Sequence, residues 1–391
     1  MSKSAAQKHV VAVDIGYSNV KIAYGDAKGN PETIVRPAQA APMDQVSGGV
    51  EGNKEAYCVM VDDKPWLAFV NPEHITVPRE LTRDYPSTDA YKALFYAGIL
   101  AVCPEGKVID HLITGLPINQ YQQQGKVDAL IKRLEGVHQV APQTAIEVKK
   151  VTVLAQPVGT MLDVYCNHED GEMLTESTVL VLDPGFFSVD WVLFNNKTLA
   201  KDFSGGNYLA MSKMFDAIND EIRNDFGVGP GAAKIEHVLQ SSNPNIIDNP
   251  QRAALAPYIE RAKIWVTKEA LASLRTGMHF MGDQSIDFVV LGGGGAFFYQ
   301  DEIQSIYPNS RIIQAENPVI SNVIGFWLHG VDQALPDKYE EPKDKRIVLQ
   351  VPLYMPELRN ELSKYPENYR GKRLLQLAMS GIHANRTLSP H

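Results

Sequence analysis

The chain has 391 residues, which is enough for two or three domains at roughly 150 residues each. Its hydrophobic fraction of 44% is typical of a globular protein. A net charge of −9 argues against a protein that binds nucleic acid along its whole length. The sequence contains no apolar run of about 18 residues, so no membrane-spanning helix is expected. The start, MSKSAAQKHV, lacks the apolar core of a signal peptide. We therefore expect a cytoplasmic protein whose three cysteines, Cys58, Cys103 and Cys166, are reduced and buried.

The first half of the chain begins with a predicted strand, tight turn and strand, VVAVD, IGYSN and VKIAYG, over residues 9–26. Residues 30–85 are rich in Pro and Gly, with short strand-like pieces. The remaining predicted elements are a helix at 88–103, a strand at 111–117, a polar amphipathic helix at 119–136, and a strand running into a helix at 148–165.

The second half begins in the same way, because VLVLDPGFFSVDWVLF at 179–194 again places a D-x-G turn between two apolar strands. The elements predicted after it are a Gly-Gly turn at 205–206, helices at 207–225 and about 250–275, a buried strand ending in four glycines from Gly292, and a helix within 317–330. The D-x-G turn therefore occurs twice, at Asp14 and Asp183, and predicts two similar lobes that face each other.

The D-x-G turns combine residue types that suit a nucleoside triphosphate. A glycine lets the backbone approach phosphate oxygens, hydroxyl and amide side chains such as Ser18 donate to them, and Lys21 adds a positive charge. Asp14 and Asp183 could hold Mg²⁺ through water. One such turn alone would be interpreted as an ordinary hairpin. Two turns followed by a glycine-rich loop favour phosphate binding.

The run Leu291-Gly-Gly-Gly-Gly-Ala296 suits close backbone contact with a ribose, a base or a phosphate. A flexible linker is the alternative, but the flanking residues are apolar. No G-x-G-x-x-G opens a βαβ unit and no G-x-x-x-x-G-K-S/T occurs, which excludes a Rossmann fingerprint and a P-loop.

The segments VDIGYSNVK, LVLDPGFFSVD and VVLGGGGAFF resemble the two phosphate loops and the adenosine loop of the actin-like ATPase superfamily, which also contains sugar kinases and chaperone ATPases. The first loop and HLITGLPINQY are most similar to the ParM/StbA plasmid-segregation proteins. The resemblance covers about residues 9–330. It implies an α/β actin-like fold of two ribonuclease-H-like lobes, 9–165 and 166–331, that binds ATP or GTP with Mg²⁺.

The resemblance also implies roles for individual residues. Asp14 and Asp183 resemble the Mg²⁺-linked aspartates, and Gln156 stands where these proteins place a Glu or Gln that orients the attacking water. The implied nucleotide-binding residues are Gly16, Tyr17, Ser18, Asn19 and Lys21 in the first loop, Gly185, Phe186, Ser188 and Asp190 in the second, Gly205 and Gly206 at the base of the cleft, Gly292, Gly293, Gly294 and Gly295 in the adenosine loop, and Asn322.

Two of these assignments have alternatives. Gln156 could be a helix N-terminal residue without a chemical role; as an amide it orients water and cannot act as a strong base, which implies slow hydrolysis. Phe186 and Phe187 stand where small or polar residues are usual, and could narrow the end of the site that holds the terminal phosphate. A kinase of this fold would need a base for its acceptor, for which Asp190 and Asp163 are candidates.

The C-terminal segment differs in charge from the rest. Residues 344–391 carry eight Lys and Arg against four acidic residues, after a linker-like stretch at 332–345. A strand followed by two helices within 346–386 resembles the ribbon-helix-helix DNA-binding fold, in which a paired strand enters the major groove. The implied DNA contacts are Arg346, Val348 and Gln350 to bases, and Lys372 and Arg373 to phosphates. The alternative is an amphipathic cap or a polymer contact.

Three functions remain open from the sequence. The first is a nucleotide-dependent polymerising ATPase that segregates plasmid DNA, with itself and plasmid DNA, bound directly or through an adaptor, as partners and no role for a membrane. The second is a non-polymerising small-molecule kinase of the same fold. The third is a DNA-binding regulator whose nucleotide site is only a sensor.

Overall fold

The computed structural model describes residues 9–26, 30–75, 79, 81–103, 108–240, 250–278, 285–334 and 356–364. The chain divides into two compact units, Met1–Pro336 and Asp337–His391. Among the described helices, none combines the length and the apolar character that crossing a membrane requires.

The described residues form seventeen strands and ten α-helices. The strands are β1 (His9–Ile15), β2 (Asn19–Asp26), β3 (Glu32–Pro37), β4 (Ala40–Pro42), β5 (Tyr57–Val61), β6 (Lys64–Ala68), β7 (Val108–Ile109), β8 (His111–Leu116), β9 (Gly136–Ala141), β10 (Thr144–Val148), β11 (Val151–Ala155), β12 (Thr178–Pro184), β13 (Val189–Asn195), β14 (Thr198–Leu199), β15 (Gly205–Asn207), β16 (Phe288–Leu291) and β17 (Arg311–Gln314). The helices are α1 (Asp89–Val102), α2 (Ile118–Tyr121), α3 (Gln124–Leu134), α4 (Gln156–Asn167), α5 (Met211–Phe226), α6 (Ala232–Gln240), α7 (Pro250–Met278), α8 (Ala296–Ile306), α9 (Ser321–Ala334) and α10 (Pro356–Ser363).

The first sheet has the strand order β3-β2-β1-β8-β11. β1 and β2 form an antiparallel hairpin, while β8 runs parallel to both β1 and β11. The apolar run of β1 explains its central place, because Val10 to Val13 are buried on both faces, as expected of a strand covered on two sides.

The second sheet repeats this arrangement. Its order is β14-β13-β12-β16-β17, with β15 also paired to β13. β12 and β13 form the antiparallel hairpin, and β16 is parallel to both β12 and β17. The same order and the same strand directions in both sheets confirm the duplicated α/β architecture predicted from the two D-x-G turns. We call the parts built on these sheets the first lobe and the second lobe.

Two helices cross between the sheets. α4 follows the first sheet in the chain, but its Met161 and Val164 pack in a cluster with strands of the second sheet. α9 follows the second sheet, and its Val323, Phe326 and Trp327 pack against β1 and β8. The two helices contact each other at Gly159 of α4. Each lobe is therefore joined to the other by the helix that follows its own sheet in the chain.

Glycine makes the contact between α4 and α9 possible. A Cβ on Gly325 would lie 1.8 Å from the backbone oxygen of Gly159, and a Cβ on Gly159 would lie 2.3 Å from the backbone oxygen of Asn322. Neither position could carry a larger side chain without moving a helix. This close approach places the start of α4 beside the start of α9.

Three local predictions were wrong. Residues 119–136 form two helices, α2 and α3, followed by a strand, because Gln123 adopts an extended conformation that ends the helical path between them. Gly205–Gly206 is the strand β15 and not a turn, since it pairs with β13. Of the three cysteines only Cys103 is buried; Cys58 and Cys166 are exposed, and all three are free thiols.

In the second unit the structure describes one helix, α10 (Pro356–Ser363), where a helix was predicted. The other predicted elements of the ribbon-helix-helix module, and with them the five candidate DNA contacts Arg346, Val348, Gln350, Lys372 and Arg373, lie outside the described residues.

Candidate functional site

The two D-x-G turns open onto one cavity of about 570 Å³ between the lobes. The predicted site residues that line it are Asp14, Tyr17, Ser18, Asn19, Lys21, Gln156, Asp183, Gly185, Phe186, Ser188, Asp190, Gly294, Gly295 and Asn322. They come from both hairpins, from the starts of α4 and α9, and from the loop after β16. The duplicated hairpins thus bring residues more than 160 positions apart into one site.

In the first hairpin, an ion pair orders the turn. Asp14 and Lys21 face each other across β1 and β2, and Lys21 Nζ donates to Asp14 Oδ2 at 2.9 Å. The other oxygen of Asp14 accepts a hydrogen bond from Gln156 Nε2, also at 2.9 Å. The turn closes through the Gly16 N–H, which donates to the backbone oxygen of Asn19. Asp14 therefore lies between a cation and an amide at the edge of the cavity.

In the second hairpin, Asp183 is buried and has an amide partner. Asn322 Nδ2, at the start of α9, donates to Asp183 Oδ2 at 2.6 Å. Burial and the neighbouring charge of Asp14 raise the pKa of Asp183 to about 6, against the opposing effect of the Asn322 hydrogen bond. Two carboxylates that repel each other across a cavity favour a cation between them.

The carboxylates of Asp14 and Asp183 fit a magnesium ion. Among the residues that the structure describes, no three His, Cys, Asp or Glu side chains cluster as ligands. A cation at this place would therefore take its remaining ligands from water and from a bound anion. That is how Mg²⁺ is usually held in phosphate sites, whereas Zn²⁺ requires more protein ligands.

Asp190 occupies, in the second hairpin, the place that Lys21 has in the first. It faces Asp183 across β12 and β13. One oxygen accepts from the Ile118 backbone N–H at 2.9 Å and the other from Ser188 Oγ at 2.5 Å. Burial is the main cause that raises the pKa of Asp190 to about 7. Asp190 thus joins the second phosphate-loop candidate to α2 of the first lobe.

The glycines after β16 have two different surroundings. Gly294 and Gly295 line the cavity. Gly293 has a φ of +74°, and a Cβ there would lie 2.1 Å from Asp183 Oδ1; a Cβ on Gly292 would lie 2.2 Å from Thr160 Oγ1. The first two glycines therefore allow the loop to pass Asp183 and α4, and the last two present bare backbone to the cavity.

The rings of Tyr17, Tyr85 and Phe187 line the cavity and contact one another. Tyr17 stacks on Tyr85 with ring centroids 4.5 Å apart, and Phe187 lies 4.4 Å from Tyr17 across the two lobes. Phe187 also packs against Tyr208. The second of the two unusual phenylalanines thus joins the lobes, while Phe186 packs near Phe215 of α5.

Five predicted residues do not line the cavity. Gly16, Gly292 and Gly293 shape its loops, Gly205 packs on the Trp191 ring, and Gly206 lies against Asp190 while its oxygen accepts from Asn119. Asp163 also lies outside the lining, bonded to Ser321 and Asn167.

One side of the cavity was not predicted from the sequence. Further residues that line it are Tyr85, Gln120, Phe187, Met211, Phe215, Ala256, Ile259, Glu260, Lys263, Phe297, Phe298 and Val319. One face of α7 contributes Ala256, Ile259, Glu260 and Lys263, which are spaced three or four residues apart. This spacing predicts that the four residues share one face of a helix. The sequence does not show that this face points to the cavity.

Residues 12–159 match the family model described as the actin like proteins N terminal domain. Together with the duplicated sheets, this match decides the fold. The protein has an actin-like fold. No curated protein sequence matches the chain.

Solved structures with similar folds cover most of this actin-like chain. Actin-like protein Alp7A is 15% identical, with a TM-score of 0.65, over 85% of this chain and 98% of Alp7A. The apo pSK41 ParM protein is 21% identical, with a TM-score of 0.57, over 84% and 98%. A 15-stranded ParM filament from Clostridium botulinum is 16% identical, with a TM-score of 0.61, over 84% and 99%. These likenesses confirm the fold predicted from the resemblance to the ParM proteins.

Proposed function

We propose that the cavity between the lobes binds a nucleoside triphosphate with Mg²⁺ and that the chain hydrolyses it slowly. The observation that supports this most is the meeting of both D-x-G carboxylates, Asp14 and Asp183, in one cavity with Lys21 and with bare glycine backbone. About four negative charges on the ligand would be balanced by Lys21, the metal ion and backbone N–H groups.

Each residue then has a proposed role. Ser18, Asn19 and Ser188 would donate to phosphate oxygens, for which Ser18 would leave Glu236 and Ser188 would leave Asp190, and Gly294 and Gly295 would allow the nucleoside to approach the backbone. Mg²⁺, held through Asp14 and Asp183, would neutralise charge on the phosphate oxygens. Gln156 donates to Asp14 at 2.9 Å, which fixes its amide and leaves the amide oxygen as the group that orients a water.

We also propose that nucleotide binding controls polymerisation. The similarity to filament-forming ParM proteins and the position of the cavity between two lobes support this, because a ligand that contacts both lobes biases their relative position. The expected result is filaments in electron microscopy with Mg²⁺ and ATP or GTP, and none without nucleotide. The kinase alternative needs a base for its acceptor, but Asp163 does not line the cavity and Asp190 would have to give up one of its two protein hydrogen bonds.

The proposed biological role is plasmid DNA segregation, with the basic C-terminal segment binding DNA directly or an adaptor doing so. A gel shift of the full chain against its Lys372→Ala/Arg373→Ala variant tests direct binding. Loss of two phosphate contacts would weaken binding to all DNA sequences and lower its salt dependence. A shift unchanged by both substitutions would contradict this assignment of the tail.

The nucleotide site itself is tested by binding of fluorescent ATP and GTP to Asp14→Ala and Asp183→Ala variants in Mg²⁺. Each should lower affinity by about 100-fold, since removing one partner of a buried charge arrangement typically costs about 3 kcal/mol. Asp220→Ala is the matched control, because Asp220 is an exposed acid paired on the surface with Arg223. Unchanged affinity in both cleft variants would refute the proposal.

A further inference from the structure

A charged cluster joins the two lobes beside the first phosphate-loop candidate. Glu236 lies on α6 of the second lobe, and its side chain is only 8% exposed. Its Oε1 accepts from Ser18 Oγ at 2.6 Å, and its Oε2 accepts from Arg79 Nη1 at 3.0 Å. Arg79 Nη1 also reaches Oε1, at 3.4 Å. Ser18 and Arg79 therefore hold the same carboxylate.

Arg79 has partners besides Glu236, one in each lobe. The side-chain oxygen of Gln39, in the orientation that satisfies its amide, accepts from Arg79 Nε at 2.7 Å and from Nη2 at 3.0 Å. The guanidinium also lies over the Phe186 ring, 4.6 Å from its centroid. An arginine held on one edge and on one face keeps its remaining N–H groups pointing in a set direction.

The cluster stands where two cavities adjoin. Ser18 and Asn19 line the nucleotide cavity and also a second cavity of about 920 Å³, whose lining includes Arg79 and Glu236. A serine hydroxyl and a guanidinium that bind a carboxylate are the donors that also bind a phosphate oxygen. Glu236 thus occupies an anion position at the edge of the proposed nucleotide site.

We propose that Arg79 and Ser18 form a binding position for the terminal phosphate of the nucleotide, and that Glu236 is its competitor within the chain. This inference rests on the proposed nucleotide site. A triphosphate takes both donors from Glu236, because the carboxylate and the phosphate repel each other and cannot share them. A diphosphate does not reach the position and leaves the Ser18–Glu236–Arg79 cluster intact. The cluster therefore makes the contact between α6 and the first lobe depend on the terminal phosphate.

The test compares two substitutions that break the same ion pair from opposite sides. Glu236→Gln removes the competing charge, so the affinity for ATP or GTP should rise about tenfold while the affinity for the diphosphate stays within about twofold. Arg79→Gln removes a phosphate donor, so triphosphate affinity should fall about tenfold with little change for the diphosphate. Arg79→Lys, which keeps the charge but loses the planar fork, should fall between Arg79→Gln and the unmodified chain.

Glu221→Gln is the matched control, since Glu221 pairs with Arg261 on the surface of the second lobe; it should change neither affinity. If the cluster only holds the lobes together, Glu236→Gln and Arg79→Gln will change nucleotide affinity in the same direction, and each will affect the triphosphate and the diphosphate equally. That result would overturn this inference but leave the proposed function standing. If the unmodified chain binds no nucleotide, the proposed function falls and this inference falls with it. Thermal melts of each variant separate both results from a loss of folding.

Discussion

The affinity for a Mg²⁺-bound nucleotide should rise with pH between about 5 and 7, because only the ionised Asp183 can hold the metal ion. The pKa of Asp183 is raised to about 6 by burial and by the charge of Asp14. Asp183 is then ionised in roughly one-tenth of the molecules at pH 5 and nine-tenths at pH 7, which predicts about a ninefold gain in affinity.

The assay is a titration with fluorescent nucleotide in Mg²⁺ at several pH values, repeated in EDTA. The phosphates of the nucleotide titrate in the same range, and the EDTA series measures that contribution. Asp183→Asn should remove the difference between the two series. An equal pH profile with and without Mg²⁺ in the unmodified chain would refute the reasoning. In the absence of ligand the sign is opposite: protonated Asp183 stabilises the fold, and this contribution is lost as the pH rises through about 6.

Two further substitutions test the helix contact and the water-orienting residue. Gly325→Ala should lower the free energy of unfolding by about 3 kcal/mol in denaturant titrations, since its Cβ would lie 1.8 Å from the Gly159 oxygen. Gly277→Ala is the control: a Cβ there meets nothing within 4 Å, so this substitution should raise the free energy of unfolding by about 0.5–1 kcal/mol. Gln156→Ala should lower the hydrolysis rate about 100-fold with little change in nucleotide affinity, measured by phosphate release, whereas an unchanged rate would assign Gln156 to the start of the helix alone.

The sequence predicted the hairpins and their duplication because both depend on short-range patterns. Apolar runs around D-x-G locate β1, β2, β12 and β13, and the same turn in each half predicts the repeated strand order that the two sheets show. The carboxylates at Asp14 and Asp183 fall at corresponding ends of corresponding strands. Their meeting in one cavity followed once the two halves were expected to face each other.

Other parts of the site depend on long-range packing that no local pattern contains. In the sequence, Gly159 and Gly325 are only two glycines within predicted helices, and nothing local shows that they contact each other. Their contact helps to place Gln156, at the start of α4, beside Asp14. Glu236 is the one acidic residue of α6, but the sequence does not predict its contact with Ser18, which depends on the approach of the second lobe. The break between α2 and α3 at Gln123 was also missed. The neighbouring Gln122 donates to the backbone oxygens of Lys201 and Ser204, a long-range contact that no local pattern contains.

The duplicated hairpins differ at one matched position. Across from Asp14 stands Lys21, whereas across from Asp183 stands Asp190. The first hairpin thus carries its own cation, while the second holds two acids and depends on a proton or an external cation. Burial, the largest cause, together with the charge of Asp183, raises the pKa of Asp190 to about 7, although the bonds from Ser188 and Ile118 oppose this.

The folded chain therefore keeps a proton on Asp190 at pH values where the unfolded chain has lost it. Its stabilising contribution is present below about pH 4 and is lost as the pH rises through about 7. Asp190→Asn keeps an oxygen for the Ile118 N–H and removes the titration, so its stability relative to the unmodified chain should increase between about pH 4 and pH 7 and level off by pH 8. Thermal unfolding of both proteins without nucleotide, over this range, measures the difference. A difference that stays constant with pH would mean that Asp190 is ionised throughout, and that the second hairpin is not short of a cation.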